Sequence, residues 1–473
     1  MSEHKKIKKI CPCCFQKITN EEVDFLVKEN HLQFYSPILN DLLTPREDVL
    51  YEHFWNGMGS RLDVTQTQRV VITNQMIESK NEELRQEQLE CIEKIYIEES
   101  GGYEVIIKEA GMTVIANIMM CNHCHNILPI NFWKYDLISI GMAGSVASGK
   151  TVFLCSLLAN GFGSLNRNRI SVRMAHGDPL DKNKMEMEQM AEQLIREGIC
   201  PEPTSKVFRQ PIYLEIRYQG EKKDHFLLLA LYDVAGEIAR TQAGTGQAMF
   251  FRYMDGIVFL VDPSQMLLEE PIFFKSSLDE EKLFRGLRLL SREEQIQIQC
   301  KSNVNGKEEM FDNHVLYEEQ KDEKLLYERR PEVILDMIRS GVGEGMLSKK
   351  YMALTIAQCD LLSEHDEIQR IPGFSLLFER EEVKGGFFNP EHYLIRQRIL
   401  EQIFEQKIYH IQRNVKEYKK CGLFCGSALG CETKQIEIQN MEVTKAVNKI
   451  NPIRVEEPVM WILMKIMQER GWI

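Results

Sequence analysis

Residues 135–151 have the sequence YDLISIGMAGSVASGKT, and this stretch decides the fold prediction. It contains the pattern G-x-x-x-x-G-K-[ST], which forms a loop whose backbone N–H groups surround phosphate oxygens. Apolar residues at 137–140 predict a short strand before the loop, and the apolar run 152–159 predicts a helix after it. Strand, glycine-rich turn and helix therefore occur in the order that a phosphate-binding loop (P-loop) requires.

Each position of the loop has an expected role. The two glycines let the backbone curl, Lys150 reaches the β- and γ-phosphates, and the Thr151 hydroxyl binds Mg²⁺. The N-terminus of the following helix adds partial positive charge. The alternative is an ordinary glycine-rich turn beside a solvated lysine, which the flanking strand and helix disfavour. The predicted phosphate-binding residues are Gly144, Ser145, Val146, Ala147, Ser148, Gly149, Lys150 and Thr151.

Composition sets the class of protein. The chain has 473 residues, which suggests about two to four domains. Its hydrophobic fraction of 44% and charged fraction of 27% are typical of a soluble globular protein. The net charge of −12 argues against nucleic acid or an anionic membrane as the main ligand. We see no apolar run that could span a bilayer and no signal-peptide core, so we expect a cytoplasmic protein with reduced thiols.

Two C-x₂-C knuckles stand far apart in the chain. We predict that Cys11 and Cys14, together with Cys121 and Cys124, bind one structural Zn²⁺ through four thiolates. Cys13, His123 and His125 are alternative ligands. Roughly a hundred residues separate the knuckles, so an inserted subdomain must return the chain to the same place. The competing interpretation is a set of free thiols.

The knuckles and the P-loop divide the chain into two predicted domains. Residues 1–133 form the zinc-binding module with an inserted α+β subdomain at 16–120, in which 81–93 is a predicted helix and 103–107 and 112–119 are predicted strands. Residues 134–473 form the P-loop domain. It carries a charged helical insert at about 264–350 and ends in a helix at 456–470.

Buried strands in the second domain end in polar residues. The apolar segments 212–218, 226–232, 256–261, 352–357 and 423–425 are predicted strands, and helical segments, including 187–195, separate several of them. This pattern predicts a doubly wound, mostly parallel sheet with its ligand at the carboxyl ends of the strands. Asp233 ends one buried strand, where P-loop proteins hold Mg²⁺, and Gly236 can offer a backbone N–H to the γ-phosphate. A strand-terminating turn is the alternative for Asp233.

With these motifs in place, the chain resembles P-loop GTPases of the TRAFAC class. More narrowly, it is similar to bacterial "double-GTPase" proteins of antiphage and conflict gene clusters, which share the D-x-A-G-E form at 233–237 and an N-terminal pair of cysteine knuckles. The resemblance runs from 135 to 430, with both large inserts excluded. It implies that Thr204 binds Mg²⁺ and senses the γ-phosphate, and that Ser427 and Ala428 belong to the base-binding motif.

Two motifs depart from the family pattern. The base-reading run N/T-K-x-D is replaced by Ala357-Gln358-Cys359-Asp360, in which Asp360 can still accept hydrogen bonds from guanine N1 and N2. The resemblance places a water-orienting glutamine where this chain has Glu237, which implies slow or partner-activated hydrolysis. Arg240 is a candidate internal arginine finger, and the alternative is a solvated arginine that lies away from the phosphates.

The functional hypothesis is a Mg²⁺-dependent GTPase that acts as a switch between GTP and GDP states, with a protein effector or activator. Catalysis is assigned to Lys150, Thr204, Gly236 and Glu237. Two alternatives are a nucleotide-binding scaffold without turnover and an ATP-using P-loop kinase or ATPase. The effector, the pathway and the oligomeric state do not follow from the sequence.

Overall fold

The computed structural model describes most of the chain between residue 6 and the C-terminus. The described ranges are 6–27, 43–59, 62–78, 92–109, 112–144, 148–161, 169–178, 182–201, 209–234, 249–262, 331–343, 345–364, 366–379, 389–407, 411, 415–438 and 441–473. Every structural statement below concerns these residues.

The described residues form strands and helices throughout both halves of the chain. The strands are β1 (Lys8–Ile10), β2 (Lys17–Thr19), β3 (Asp24–Val27), β4 (Arg46–Glu47), β5 (Gln68–Ile72), β6 (Ile92–Ile97), β7 (Gly102–Glu109), β8 (Met112–Ala116), β9 (Ile118–Met120), β10 (Asp136–Gly144), β11 (Ile170–Met174), β12 (Ile212–Gln219), β13 (Asp224–Asp233), β14 (Gly256–Val261), β15 (Tyr351–Ile356), β16 (Lys420–Cys425), β17 (Thr433–Ile438) and β18 (Met441–Ala446). The α-helices are α1 (Val49–Gly57), α2 (Val64–Thr67), α3 (Asn74–Glu78), α4 (Lys150–Ser156), α5 (Lys182–Glu197), α6 (Pro331–Val342), α7 (Asp366–Gln369), α8 (Pro390–Lys407) and α9 (Glu457–Glu469).

The central element is a mostly parallel seven-stranded sheet. Its order is β11-β12-β13-β10-β14-β15-β16. β10, β14, β15 and β16 pair in parallel, and β12 and β13 pair antiparallel. β14 and β15 are buried along their whole length, as expected for strands covered on both faces. The predicted mixed α/β class with a mostly parallel sheet is therefore confirmed.

Contacts group the chain into two compact units. Unit 1 comprises Met1–Ser139, Ser171–Glu186 and Lys206–Tyr232, and unit 2 comprises Ile140–Ile170, Met187–Ser205 and Asp233–Ile473. The predicted boundary between residues 133 and 134 stays a prediction.

Unit 1 contains three small sheets besides its strands of the large sheet. β1 pairs with β2, and β6-β7-β8 form an antiparallel three-stranded sheet. The third is a four-stranded sheet of short strands in the order β4-β5-β3-β9. The predicted strand at 112–119 is interrupted at Asn117, because β8 pairs with β7 whereas β9 pairs with β3. The predicted helix 81–93 lies mostly outside the described residues. Its last two residues, Ile92 and Glu93, instead begin β6, whose β-branched residues favour a strand.

Unit 2 is built on β14–β16. Helix α9 packs against all three strands and buries an apolar face around Trp461 and Ile462. Helix α8 packs on β16, and the Gln397 amide oxygen accepts a hydrogen bond from Leu423 N at 2.9 Å. The predicted helix after the P-loop starts two residues earlier, at Lys150, and the chain continues as a π-helical turn over Leu157–Gly161. Of the predicted insert 264–350, only residues from 331 onward are described, and they begin with α6.

Candidate functional site

The two cysteine knuckles of unit 1 meet. The sulfurs of Cys11, Cys14, Cys121 and Cys124 all lie within 4.8 Å of one another. Cys11 Sγ is 3.9 Å from Cys124 Sγ, and Cys14 Sγ is 3.7 Å from Cys121 Sγ. A tetrahedral zinc ion with Zn–S bonds of about 2.3 Å holds its sulfurs about 3.8 Å apart. The four thiols therefore fit one metal ion such as zinc.

The knuckles have the same backbone geometry. Phe15 N donates to Cys11 O at 3.0 Å, and His125 N donates to Cys121 O at 2.9 Å. Phe15 and His125 both have positive φ, 57° and 49° respectively, which turns each chain back on itself. The first knuckle joins β1 to β2, and the second follows β9, where Met120 bridges to Ile127. Each cysteine pair thus stands at the tip of a short antiparallel turn.

The alternative ligands have other roles. Cys13 Sγ lies 3.6 Å from Tyr213 Oη. In the described part of the chain, neither Cys13 nor His123 belongs to the group that could hold a metal. His125 Nδ1 lies 2.6 Å from Asp48 Oδ1, and its Nε2 lies 3.0 Å from Asp24 Oδ2. The ligand set therefore reduces to the four cysteines that the spacing singled out.

A buried ionic network supports the second knuckle. Although burial disfavours a charged imidazole, the hydrogen bonds that His125 donates to the carboxylates of Asp24 and Asp48 raise its pKa to about 9. Arg69 Nη1 bonds both Asp48 Oδ2 at 3.1 Å and His125 O at 2.9 Å. Two cations thus balance two carboxylates. Sequence reasoning missed this network because its members lie 77 and 101 residues from His125.

The described part of the predicted P-loop lies in unit 2. Gly144 ends β10 with φ of 150°, and a Cβ there would lie 2.5 Å from Leu260 O, so only glycine fits. Gly149 caps the N-terminus of α4 with φ of 76°. Ser145, Val146 and Ala147 lie outside the described residues. Both glycines therefore have positive φ, one at the end of β10 and one at the start of α4.

Lys150 is the first residue of α4 and is buried. Its Nζ donates to Gly144 O at 3.0 Å and lies 3.5 Å from Ser148 Oγ. Burial lowers the pKa of Lys150 to about 8, and the nearby Asp233 carboxylate opposes that change. The lysine is thus held against the loop backbone as a cation that is easily deprotonated.

Thr151 and Asp233 meet, although 82 residues separate them in the chain. Thr151 Oγ1 donates to Asp233 Oδ2 at 2.9 Å. Two neighbouring ligands of an octahedral Mg²⁺, each at about 2.1 Å, stand about 3.0 Å apart. This hydroxyl–carboxylate pair therefore has the donor chemistry and the separation that one Mg²⁺ requires.

The predicted base-binding segments lie near the same loop. Gln358 has a positive φ of 52°. Its side-chain Nε2 lies close to Gly149, 3.9 Å from the position that a Cβ atom on that glycine would occupy. Cys359 N donates to Gly426 O at 3.2 Å, which joins the Asp360 segment to the segment that leads into Ser427.

The second of these segments also contacts α4. Ser156 Oγ donates to Ala428 O at 2.9 Å. Ser427 exchanges two backbone hydrogen bonds with Ile453, and its Oγ accepts from Gly430 N at 2.9 Å. Within unit 2, described residues of the predicted P-loop therefore lie near Asp233, the Asp360 segment and Ser427-Ala428.

Thr204, Gly236, Glu237 and Arg240 lie outside the described residues, so their roles stay predictions.

Comparisons with known proteins add no family to this picture. No protein-family model matches the chain, and no curated protein matches it. Among the described helices, none has the length and apolar character needed to cross a bilayer.

Proposed function

We propose that the protein is a Mg²⁺-dependent GTPase that acts as a nucleotide-controlled switch. The observation that carries the proposal is the 2.9 Å contact between Thr151 Oγ1 and Asp233 Oδ2, next to a buried lysine that follows Gly149. A turn that served only to reverse the chain would have no need to bury a lysine beside this pair. A triphosphate and its cation give all three side chains a function.

The residues of this chain would divide the work as follows. Lys150 would exchange its bond to Gly144 O for oxygens of the β- and γ-phosphates, and the N–H groups at the start of α4 would bind the same anion. Thr151 and Asp233 would hold Mg²⁺, which when bound neutralises charge on the phosphate oxygens. The protein then contributes positioning and charge stabilisation rather than covalent chemistry.

Asp360 would select the base. A carboxylate accepts two hydrogen bonds from guanine N1–H and N2–H, whereas adenine offers no such pair of donors on that edge. Gln358 lies near Gly149, in the position where the family pattern has lysine. This position supports the interpretation that the shorter side chain of Gln358 takes the place of the missing lysine beside the loop.

A competition assay with a fluorescent GTP analogue tests the proposal. Excess GTP should displace the analogue from the full-length protein in the presence of Mg²⁺, and ATP should not. Xanthine carries a carbonyl where guanine carries its N2 amine. The Asn side chain of Asp360→Asn can donate an amide N–H to that carbonyl, so this variant should prefer XTP to GTP. Displacement by ATP in preference to GTP would reject the guanine assignment and favour the ATP-using alternative.

Turnover distinguishes a GTPase from a scaffold. Steady phosphate release that disappears in Lys150→Ala supports the enzyme. Tight nucleotide retention with no phosphate release over hours would instead support the non-hydrolysing scaffold.

A further inference from the structure

A short segment that the proposed function does not use runs beside the predicted base-binding loop. Asn451 N donates to Leu429 O at 2.8 Å, and Ser427 exchanges two backbone hydrogen bonds with Ile453. A Cβ on Gly430 would lie 2.2 Å from Asn451 O, so only glycine lets the two backbones approach this closely. The segment therefore fixes the backbone of the loop that begins at Ser427.

Arg454 directly follows this segment and binds a second one. Its side chain is buried, and its φ of 52° turns the backbone there. Arg454 Nη2 donates to Leu376 O at 2.6 Å and also to Glu379 O. These two carbonyls lie at the end of the run 359–379, whose second residue is Asp360, the predicted base-reading carboxylate.

The run 359–379 is held at both of its ends. At its start, Cys359 N donates to Gly426 O at 3.2 Å, and at its end the guanidinium binds the two carbonyls. Between the ends, α7 packs against both the turn that bears Asp360 and the turn that bears Leu376. The position of the Asp360 turn therefore depends on where the far end of the run is held.

The pairing of Arg454 shows what this side chain contributes. Its Nε lies 3.8 Å from Glu457 Oε1, and the same carboxylate oxygen lies 3.4 Å from Arg396 Nη2. Among the described residues, Nε and Nη1 of Arg454 have no hydrogen-bond acceptor. A buried cation with unpaired N–H groups costs stability. The distinctive contribution of Arg454 is thus a rigid, permanently charged donor group that holds two carbonyls in fixed positions.

We propose that Arg454 is a positioning residue for base recognition. It fixes the Asp360 turn relative to the Ser427 loop, and the nucleotide site thereby distinguishes guanine from a base that lacks the exocyclic amine. The Asp360 carboxylate must meet guanine N1–H and N2–H together, and hydrogen bonds weaken steeply as their geometry departs from the optimum. A loosened turn can still meet one donor but not both at once. This role rests on the proposed GTP-binding function.

The test compares GTP with ITP, whose base lacks the exocyclic amine and is otherwise the same. Each nucleotide displaces the fluorescent GTP analogue from the full-length protein in the presence of Mg²⁺, and the ratio of the two affinities cancels the contribution of the phosphates. The unmodified chain should bind GTP at least about tenfold more tightly than ITP, because one hydrogen bond to a carboxylate contributes about that factor. Arg454→Met should reduce the ratio to about twofold.

Two further variants set the scale. Arg396→Met is the matched control, because it removes the other buried arginine beside Glu457, whereas the bonds to Leu376 O and Glu379 O come from Arg454. It should lower the melting temperature, as Arg454→Met does, but keep the affinity ratio. Asp360→Ala removes the carboxylate and gives the lower limit of the ratio.

Each outcome decides between a positioning role and a merely structural one. If Arg454→Met does not fold, Arg454→Lys carries the same test, because a flexible ammonium replaces the rigid guanidinium. Its ratio should fall below about half of the unmodified value. An unchanged ratio in the folded Arg454 variant, or an equal fall in Arg396→Met, overturns the proposal while GTP binding stands. If the unmodified chain binds neither nucleotide, or binds both equally, the proposed guanine site fails and the role of Arg454 fails with it.

Discussion

The cysteine cluster and the predicted P-loop site both join distant parts of the chain, but they differ in how their polar groups are paired. Cys14 and Cys121 are 107 residues apart, and Thr151 and Asp233 are 82 residues apart. The four thiols face mainly one another, and a set of buried sulfurs is stabilised by a metal that neutralises their thiolates. Lys150, in contrast, already bonds a backbone carbonyl, and Thr151 already bonds Asp233. The first arrangement suits a permanent ligand, and the second suits one that exchanges.

Replacing a cysteine of the cluster should have the largest effect. Cys121→Ser removes one thiolate from the tetrahedral set, so bound zinc should fall from about one equivalent to below about a tenth. The melting temperature should fall by more than about 5 °C, because the metal joins two chain segments far apart in sequence. Elemental analysis and thermal denaturation measure the two effects. Cys13→Ser is the matched control, and it should keep its zinc.

Loss of the P-loop lysine should leave the fold intact and remove nucleotide binding. Lys150→Ala should weaken GTP affinity by about 10²–10³-fold, because it removes the only fixed cation that the loop sequence supplies. Equilibrium binding of the fluorescent analogue measures the loss. Lys350 is a control of matched environment, since burial also lowers its pKa to about 8. Lys350→Met should lower thermal stability, because two backbone carbonyls lose their donor, but it should keep GTP affinity.

The hydroxyl–carboxylate pair should behave as one unit. Thr151→Val and Asp233→Asn should each weaken Mg²⁺-dependent GTP binding about tenfold, and the double variant should lose less than the product of the two. Titrations of Mg²⁺ at a fixed nucleotide concentration measure the affinity of the unmodified chain, the two single variants and the double variant, which together form a double-mutant cycle. Thr355→Val, which changes a buried threonine of β15, should leave the affinities unchanged. Fully multiplicative losses would contradict a shared ion.

The smallest expected effect is a pH dependence of binding. With a pKa of about 8, Lys150 is charged below that pH and increasingly neutral above it. Binding of a polyanion favours the charged form, so above pH 8 each complex must take up a proton. GTP affinity should then fall by about fourfold between pH 7 and pH 8.5. In Lys150→Arg the guanidinium stays charged, so any affinity that remains should be flat over pH 7.5–9.5. A flat profile in the unmodified chain would contradict the assignment.

Local patterns predicted much of the molecule, and they were wrong where pairing partners decided the outcome. The apolar runs at 226–232 and 256–261 became buried strands because burial of such segments is favourable almost wherever they lie. The run at 112–119 was divided between two sheets, because Ala116 and Ile118 pair with different strands. The antiparallel hairpin β17–β18 was not predicted at all, although residues 435–438 alternate polar and apolar side chains.

The sequence by itself determined the spacing motifs: a G-x-x-x-x-G-K-[ST] loop between a strand and a helix, two C-x₂-C knuckles, and an aspartate at the end of a buried strand. These are local because each depends on residues that are neighbours in the chain and on backbone geometry that glycine and short turns dictate. Only the tertiary structure decided that these four cysteines meet, that His125 is held by Asp24 and Asp48, and that Thr151 bonds Asp233. Those contacts depend on how strands pair and pack over long sequence separations, which no local pattern specifies.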